Sequence, residues 1–126
     1  MPLIVDGMNV IGAQPDGWWR DRGAARRRLV EAMALIDDDA DVTVVFDGRP
    51  AGGDEDHAAS RGLRACFAPG GPNAADDAIV EMVRGLDRPS DAIVVTSDRA
   101  LVERVRSLGA KVESVSAFRA RLPKTA

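Results

Sequence analysis

The sequence holds a single cysteine, Cys66, so no disulfide can form within the chain. That composition fits a reducing, cytosolic setting. It has no tyrosine, three phenylalanines and two tryptophans. An RNA-recognition sheet that stacks bases on a platform of aromatics is therefore excluded. No apolar run approaches the roughly 20 residues that span a bilayer, so no membrane anchor is expected. No basic stretch followed by a long apolar one marks a signal peptide at the N-terminus. There is no internal repeat. Basic residues are not in excess: the formal net charge is −3, which argues against a tight, non-specific nucleic-acid binder but leaves a transient one open.

What is present is a globular profile, 45% hydrophobic and 29% charged over 126 residues. One domain covering 1–126 is expected. β-Branched runs at 3–5, 42–46 and 92–97, a weaker run at 63–68 and an alternating one at 111–115 read as strands. Between them, helical spacing unites Ala25, Leu29, Ala32, Met33 and Ile36, then Ile79, Val80, Met82, Val83 and Leu86, then Leu101, Val102, Val105 and Leu108. Gly109 supplies a helix stop. Strands alternating with helices predict βαβ units, a mainly parallel sheet of about five strands and helices on both faces. The order 3-2-1-4-5 is expected. Residues 48–62, rich in glycine and charge, read as a mobile loop, and 122–126 as a frayed tail.

Several of these strands end on an acid. "LIVDG" ends at Asp6, "VVFDG" at Asp47 and "VVTSD" at Asp98. In an open parallel sheet these ends share one edge, and ligands bind there at the point where strand order reverses. A further acid comes from "NAADDAIV". Asp76 lies on the inward stripe of Ile79 and Val80, whereas Asp77 shares an outward face with Glu81 and Arg84. Taken singly, Asp98 reads as a helix cap, Asp76 as a dipole partner, and Asp6 and Asp47 as turn formers. Together they make a crevice of carboxylates that would raise one another's pKa unless a cation balanced them. Such oxygen donors suit Mg²⁺ or Mn²⁺ and phosphodiester chemistry. Asn9 is placed to anchor an acid or touch a metal-bound water. Asp47, followed by Gly48 and a long loop, is the fourth candidate.

Arg20, Arg22, Arg26, Arg27 and Arg28 decorate the first long helix. Arg26, on the stripe of Val30 and Met33, is the one expected to reach inward to a phosphate; Arg27 and Arg28 read as a solvated face. Arg99 follows Asp98, and Arg61 and Arg64 flank the loop. Trp18 and Trp19 read either as base-stacking residues or as a cover for the core. Cys66 reads as a small core residue and His57 as a solvated one.

The segments "VDGMNVIGA" at 5–13, "AARRRL" at 24–29, "VVFDG" at 44–48, "NAADDAI" at 73–79 and "VVTSD" at 94–98 resemble the NYN domain. Within it they are most similar to the YacP-like ribonucleases of the PIN-like nuclease superfamily. The resemblance covers nearly the whole chain. It implies a three-layer α/β/α sandwich and a metal-dependent endoribonuclease acting on single-stranded RNA, ribosome-associated messenger RNA included. Carried onto this sequence, it implies an acidic site of Asp6, Asp76 and Asp98, with Asn9 as the accompanying amide. It also matches Arg26 to a recurrent arginine of the first helix. YacP-like chains often continue into a basic helical segment; this sequence ends at Ala126. Two rivals are a non-catalytic RNA- or ribosome-binding module and a phosphatase or phosphoreceiver. The phosphatase reading is weak, because an aspartyl nucleophile would want a second Asp where Met8 stands.

Overall fold

A computed structural model describes residues 2–13, 16–36, 41–49, 52–71 and 73–123. Five strands, β1 (Pro2–Asp6), β2 (Asp41–Asp47), β3 (Arg64–Ala68), β4 (Ile93–Val95) and β5 (Lys111–Glu113), form one sheet of order β3-β2-β1-β4-β5. Every pairing is parallel, with Val5 opposite Val44 on one side and Val95 on the other. The expected order is the observed one. The order reverses between β1 and β4, which places a crevice at their C-terminal ends.

The three layers follow from the period of two along each strand. Leu3, Val5, Val44, Phe46 and Val95 face one core with α1 (Gly7–Gly12), α2 (Arg22–Met33) and α6 (Val115–Arg121). Ile4, Val45 and Val94 face the other with α4 (Ala74–Arg84) and α5 (Arg99–Ser107). Both faces of the central strands are therefore dry, which is why they read as unbroken β-branched runs. The inward stripes expected on α4 and α5 are buried at Ile79, Val80, Val83, Leu101 and Val105. The α5 helix ends as expected at Gly109, whose φ of 98° lets its N–H reach Arg106 and the next N–H reach Val105.

Three elements differ from the sequence reading. The chain after Asp6 is a helix, α1, rather than a simple Asp-Gly turn; six residues are too few to show a helical period. Gly7 permits it, because a Cβ there would lie 2.6 Å from the Phe46 ring. The last strand stops at Glu113 instead of running to 115, because the Ser114 hydroxyl accepts from the Ala117 N–H and starts α6. The segment 48–62 contains a helix, α3 (Asp54–Ser60), with three acids in its first turn. Of the tail expected to fray, residues 124–126 lie outside those described.

Candidate active site

Asp6 is the last residue of β1 and is almost wholly buried, 6% exposed. Its Oδ2 accepts from the Thr96 hydroxyl at 3.0 Å. The same hydroxyl oxygen accepts from the Asp98 backbone N–H at 3.1 Å. Thr96, itself 1% exposed, thus ties the end of β1 to the loop beyond β4. Burial pushes the Asp6 pKa up to about 6; the Asp76 and Asp47 charges push the same way and the Thr96 bond opposes them. The Asn9 backbone amide also favours the charged form, though Asp6 makes no side-chain capping bond to α1.

Asp6, Asp47, Asp76 and Asp98 line one cleft of about 250 Å³ with Met8, Asn9 and Asn73. Burial raises the Asp76 pKa, and the neighbouring Asp98 carboxylate raises it further, against the pull of Arg104. Burial likewise raises Asp47, and the Arg22 guanidinium offsets part of this. Asp98 caps α5 through Oδ1, which accepts from the Leu101 N–H at 3.2 Å. Its capping role and its place in the cleft coexist, since a carboxylate has two oxygens. Asp77 turns away, exposed and paired to Arg104 at 2.9 Å. Two adjacent acids on α4 thus face different ways, as the helical phase requires.

Asn9 belongs to α1, and its Oδ1 accepts from the Ser97 N–H at 2.8 Å. That bond occupies the amide oxygen and fixes the side chain of Asn9, which itself lines the cleft and keeps its NH₂ as a donor. Ser97 is braced in turn: its hydroxyl accepts from the Val115 N–H at 3.0 Å. Thr96, Ser97 and Asn73 were not singled out in the sequence. The "VVTSD" and "NAADDAI" segments contain them, but hydroxyls and amides beside an acid carry no periodic signal of their own.

The arginines divide. Arg26 is held by buried Asp54 of α3, with nitrogen to oxygen distances of 3.0 and 3.1 Å, and lies over the Phe67 ring. Asp54, unremarked in the sequence, sets the direction of Arg26. Arg27 reaches the same carboxylate at 3.9 Å, and Arg28 is exposed. Arg22 covers the Trp18 ring at 5.2 Å and is close enough to act on Asp47. Arg99, exposed, heads α5 beside Asp98, and Arg20 is exposed at the end of a short 3-10 turn, Trp18–Arg20. Arg61 and Arg64 lie at the start of β3, at the opposite sheet edge from the acids, and Arg61 binds Glu31 at 2.9 Å. Trp18 packs against the core, whereas Trp19 is 54% exposed. His57 lies in α3, with Nε2 3.1 Å from Glu31, outside the acid cleft. Cys66 packs partly buried against the α4–α5 core, where burial raises its thiol pKa.

The cation donors of the cleft are oxygens of carboxylates and carboxamides, and burial holds Asp6, Asp47 and Asp76 above their ordinary value, with repulsion from neighbouring acids adding to it at Asp6 and Asp76. A hard divalent cation fits such a set. Among the described residues no three His, Cys, Asp or Glu side chains already form a closed ligand cluster. No helix among them is long and apolar enough to cross a membrane.

A crystal structure of a point mutant of Rae1 (YacP) from Bacillus subtilis is similar to this fold, with a TM-score of 0.76 and 25% identity over 94% of this chain and 72% of that one. A second crystal structure of Rae1 (YacP) gives a TM-score of 0.72 and 27% identity over 95% and 72%. No curated protein sequence matched the chain. The YacP-like NYN domain matches residues 3–126. With that match spanning all but the first two residues, the chain belongs to the YacP-like NYN domain family.

Proposed function

We propose that this protein is a metal-dependent endoribonuclease that hydrolyses phosphodiester bonds of single-stranded RNA in the cytoplasm, ribosome-associated messenger RNA among its substrates. The family carries a nuclease- and RNA-related role. The observation that supports the finer reading is the cleft where Asp6, Asp47, Asp76 and Asp98 meet at the reversal of strand order. Asp6, Asp76 and Asp98, with Asp47, would hold Mg²⁺ or Mn²⁺, which supplies charge for the transition state and acidifies bound water. In the metal-free protein, burial and the Asp76 and Asp47 charges push the Asp6 pKa up to about 6, a penalty on its charged form that a bound cation would relieve. Thr96 keeps its carboxylate at the cleft wall. The Asn9 NH₂ donates to substrate oxygen. Arg22, whose charge acts on Asp47, and Arg99, which follows Asp98 at the start of α5, draw phosphates toward the acids without reading sequence.

The test is cleavage of a mixed RNA and DNA panel with Mg²⁺, Mn²⁺ or a chelator, with Asp6→Asn as control. Single-stranded RNA should be cut only with metal, and Asp6→Asn should cut at least about a hundredfold more slowly, roughly 2.7 kcal/mol in the barrier. RNA binding without cleavage under every condition would replace this reading with the non-catalytic RNA-binding module.

A further inference from the structure

Beside the acid cleft lies a second cavity of about 640 Å³, lined by Met8, Asn9, Ser97, Val115, Ser116 and Arg119 among others. Met8 and Asn9 line both, so the two are neighbours along α1. The volume lies within the roughly 300–1,000 Å³ typical of small-ligand sites. Its walls are mixed. Met8 and Val115 are apolar, Ser97 and Ser116 carry hydroxyls, and Arg119 carries the positive charge.

Arg119 is half-buried on α6, and its Nη1 donates to the Val10 carbonyl at the end of α1 at 2.8 Å. That is its one hydrogen bond among the described residues, so most of a guanidinium's five N–H donors remain for a ligand. The bond also anchors the side chain, so its direction is set before anything binds. At the junction of the two spaces stands Asn9, whose oxygen is occupied by Ser97 and whose NH₂ is a donor. Asn9 is thus shared by the acid cleft and the second cavity, whereas Arg119 lines only the second of the two.

We propose that this cavity is a subsite for one ribonucleotide of the bound RNA strand, adjacent to the bond being cut. Arg119 and the Asn9 NH₂ donate to its phosphate, Met8 forms the apolar wall for its base, and the serines lie within the same wall. Arg119 is then a positioning residue that sets which phosphate reaches the acids. The inference rests on the nuclease reading for the word adjacent, but the cavity's preference for a nucleotide can be tested without cleavage.

The test has two arms. In the first, 5′-AMP, 5′-UMP or inorganic phosphate is titrated into isotope-labelled protein with a chelator present, and amide shifts are followed by NMR. In the second, RNA cleavage is measured with metal. Both arms use the parent, Ser116→Phe and Arg119→Lys. Ser116 is exposed and its hydroxyl caps nothing, so a phenyl ring there can fill the cavity without entering the core. Nucleotides should shift the amides of Asn9, Ser97 and Ser116 in the parent, and binding should weaken at least about tenfold in Ser116→Phe. Arg119→Lys keeps the charge but loses the planar fork, and should raise KM by about tenfold with little change in kcat. Localised shifts from the nucleotides without any RNA cleavage would uphold the subsite and sink the nuclease reading. Normal cleavage with nucleotide shifts absent, or unchanged in Ser116→Phe, would overturn the subsite alone. Equal shifts from inorganic phosphate would reduce it to an anion pocket and overturn the nucleotide assignment.

Discussion

Replacing Asp6 by Asn should stabilise the metal-free protein while removing its activity. The carboxyl ordinarily titrates at 3.8 and is pushed up to about 6 by burial beside Asp76 and Asp47. A folded-state pKa above the unfolded value means the fold prefers the protonated form. Below 3.8 the acid is neutral in both states and costs nothing; between 3.8 and 6 a penalty grows; above 6 it is complete. At 1.36 kcal/mol per pH unit the full penalty is about 3 kcal/mol. Asn keeps the shape and an oxygen for the Thr96 hydroxyl. In chelator at neutral pH, Asp6→Asn should therefore gain about 3 kcal/mol in urea unfolding, or roughly 10 °C in Tm for a domain of this size. The gain should vanish as the pH falls to about 4, near the carboxyl's ordinary value. Millimolar Mn²⁺ should raise the parent's Tm by mass action and narrow the gap. A gain that is absent at neutral pH, or one that persists unchanged in acid, would refute the reasoning.

On α4, Asp76→Asn should slow RNA cleavage at least about a hundredfold while Asp77→Asn, which loses only an exposed pair with Arg104, costs less than about tenfold; the reverse order would place the wrong acid in the cleft. Thr96→Val removes the hydroxyl shared by Asp6 and the Asp98 N–H, so the acid limb of the pH–rate profile should move to higher pH and stability should fall by about 1–3 kcal/mol. An unmoved limb would show that Thr96 does not control Asp6. Arg26→Ala takes the nearest cation from buried Asp54 and should destabilise by roughly 3 kcal/mol, whereas Arg27→Ala should change stability by less than about 1 kcal/mol; equal unfolding curves for the two variants would discount the ion pair. Gly7→Ala forces a Cβ against the Phe46 ring and should cost about 1–3 kcal/mol or more by thermal unfolding, and parent-like stability would mean α1 can shift freely.

Much of this protein is set by local pattern, and local pattern is what a sequence displays. The β-branched runs of β1, β2 and β4 and the stripes of α4 and α5 are periodic because both sheet faces and one face of each helix must be dry. The order of elements, with right-handed crossovers, then restricts the sheet topology, and the strand-end acids Asp6, Asp47 and Asp98 come to one edge as a consequence. The inward phase of Asp76 follows from the same stripe as Ile79 and Val80. Short elements escaped. The six residues of α1 and the seven of α6 each span less than two turns, too short for a period to emerge, although Ser114 is a capping residue in plain view. Tertiary structure alone decided the partners. Arg26 was aimed at the cleft by its helical phase, but Asp54, 28 residues away, holds it. Thr96 meets Asp6 across 90 residues, and Asn9 meets Ser97 across 88. A hydrogen bond depends on where two chains of atoms arrive to within a few tenths of an ångström, and no spacing along one chain encodes that distance.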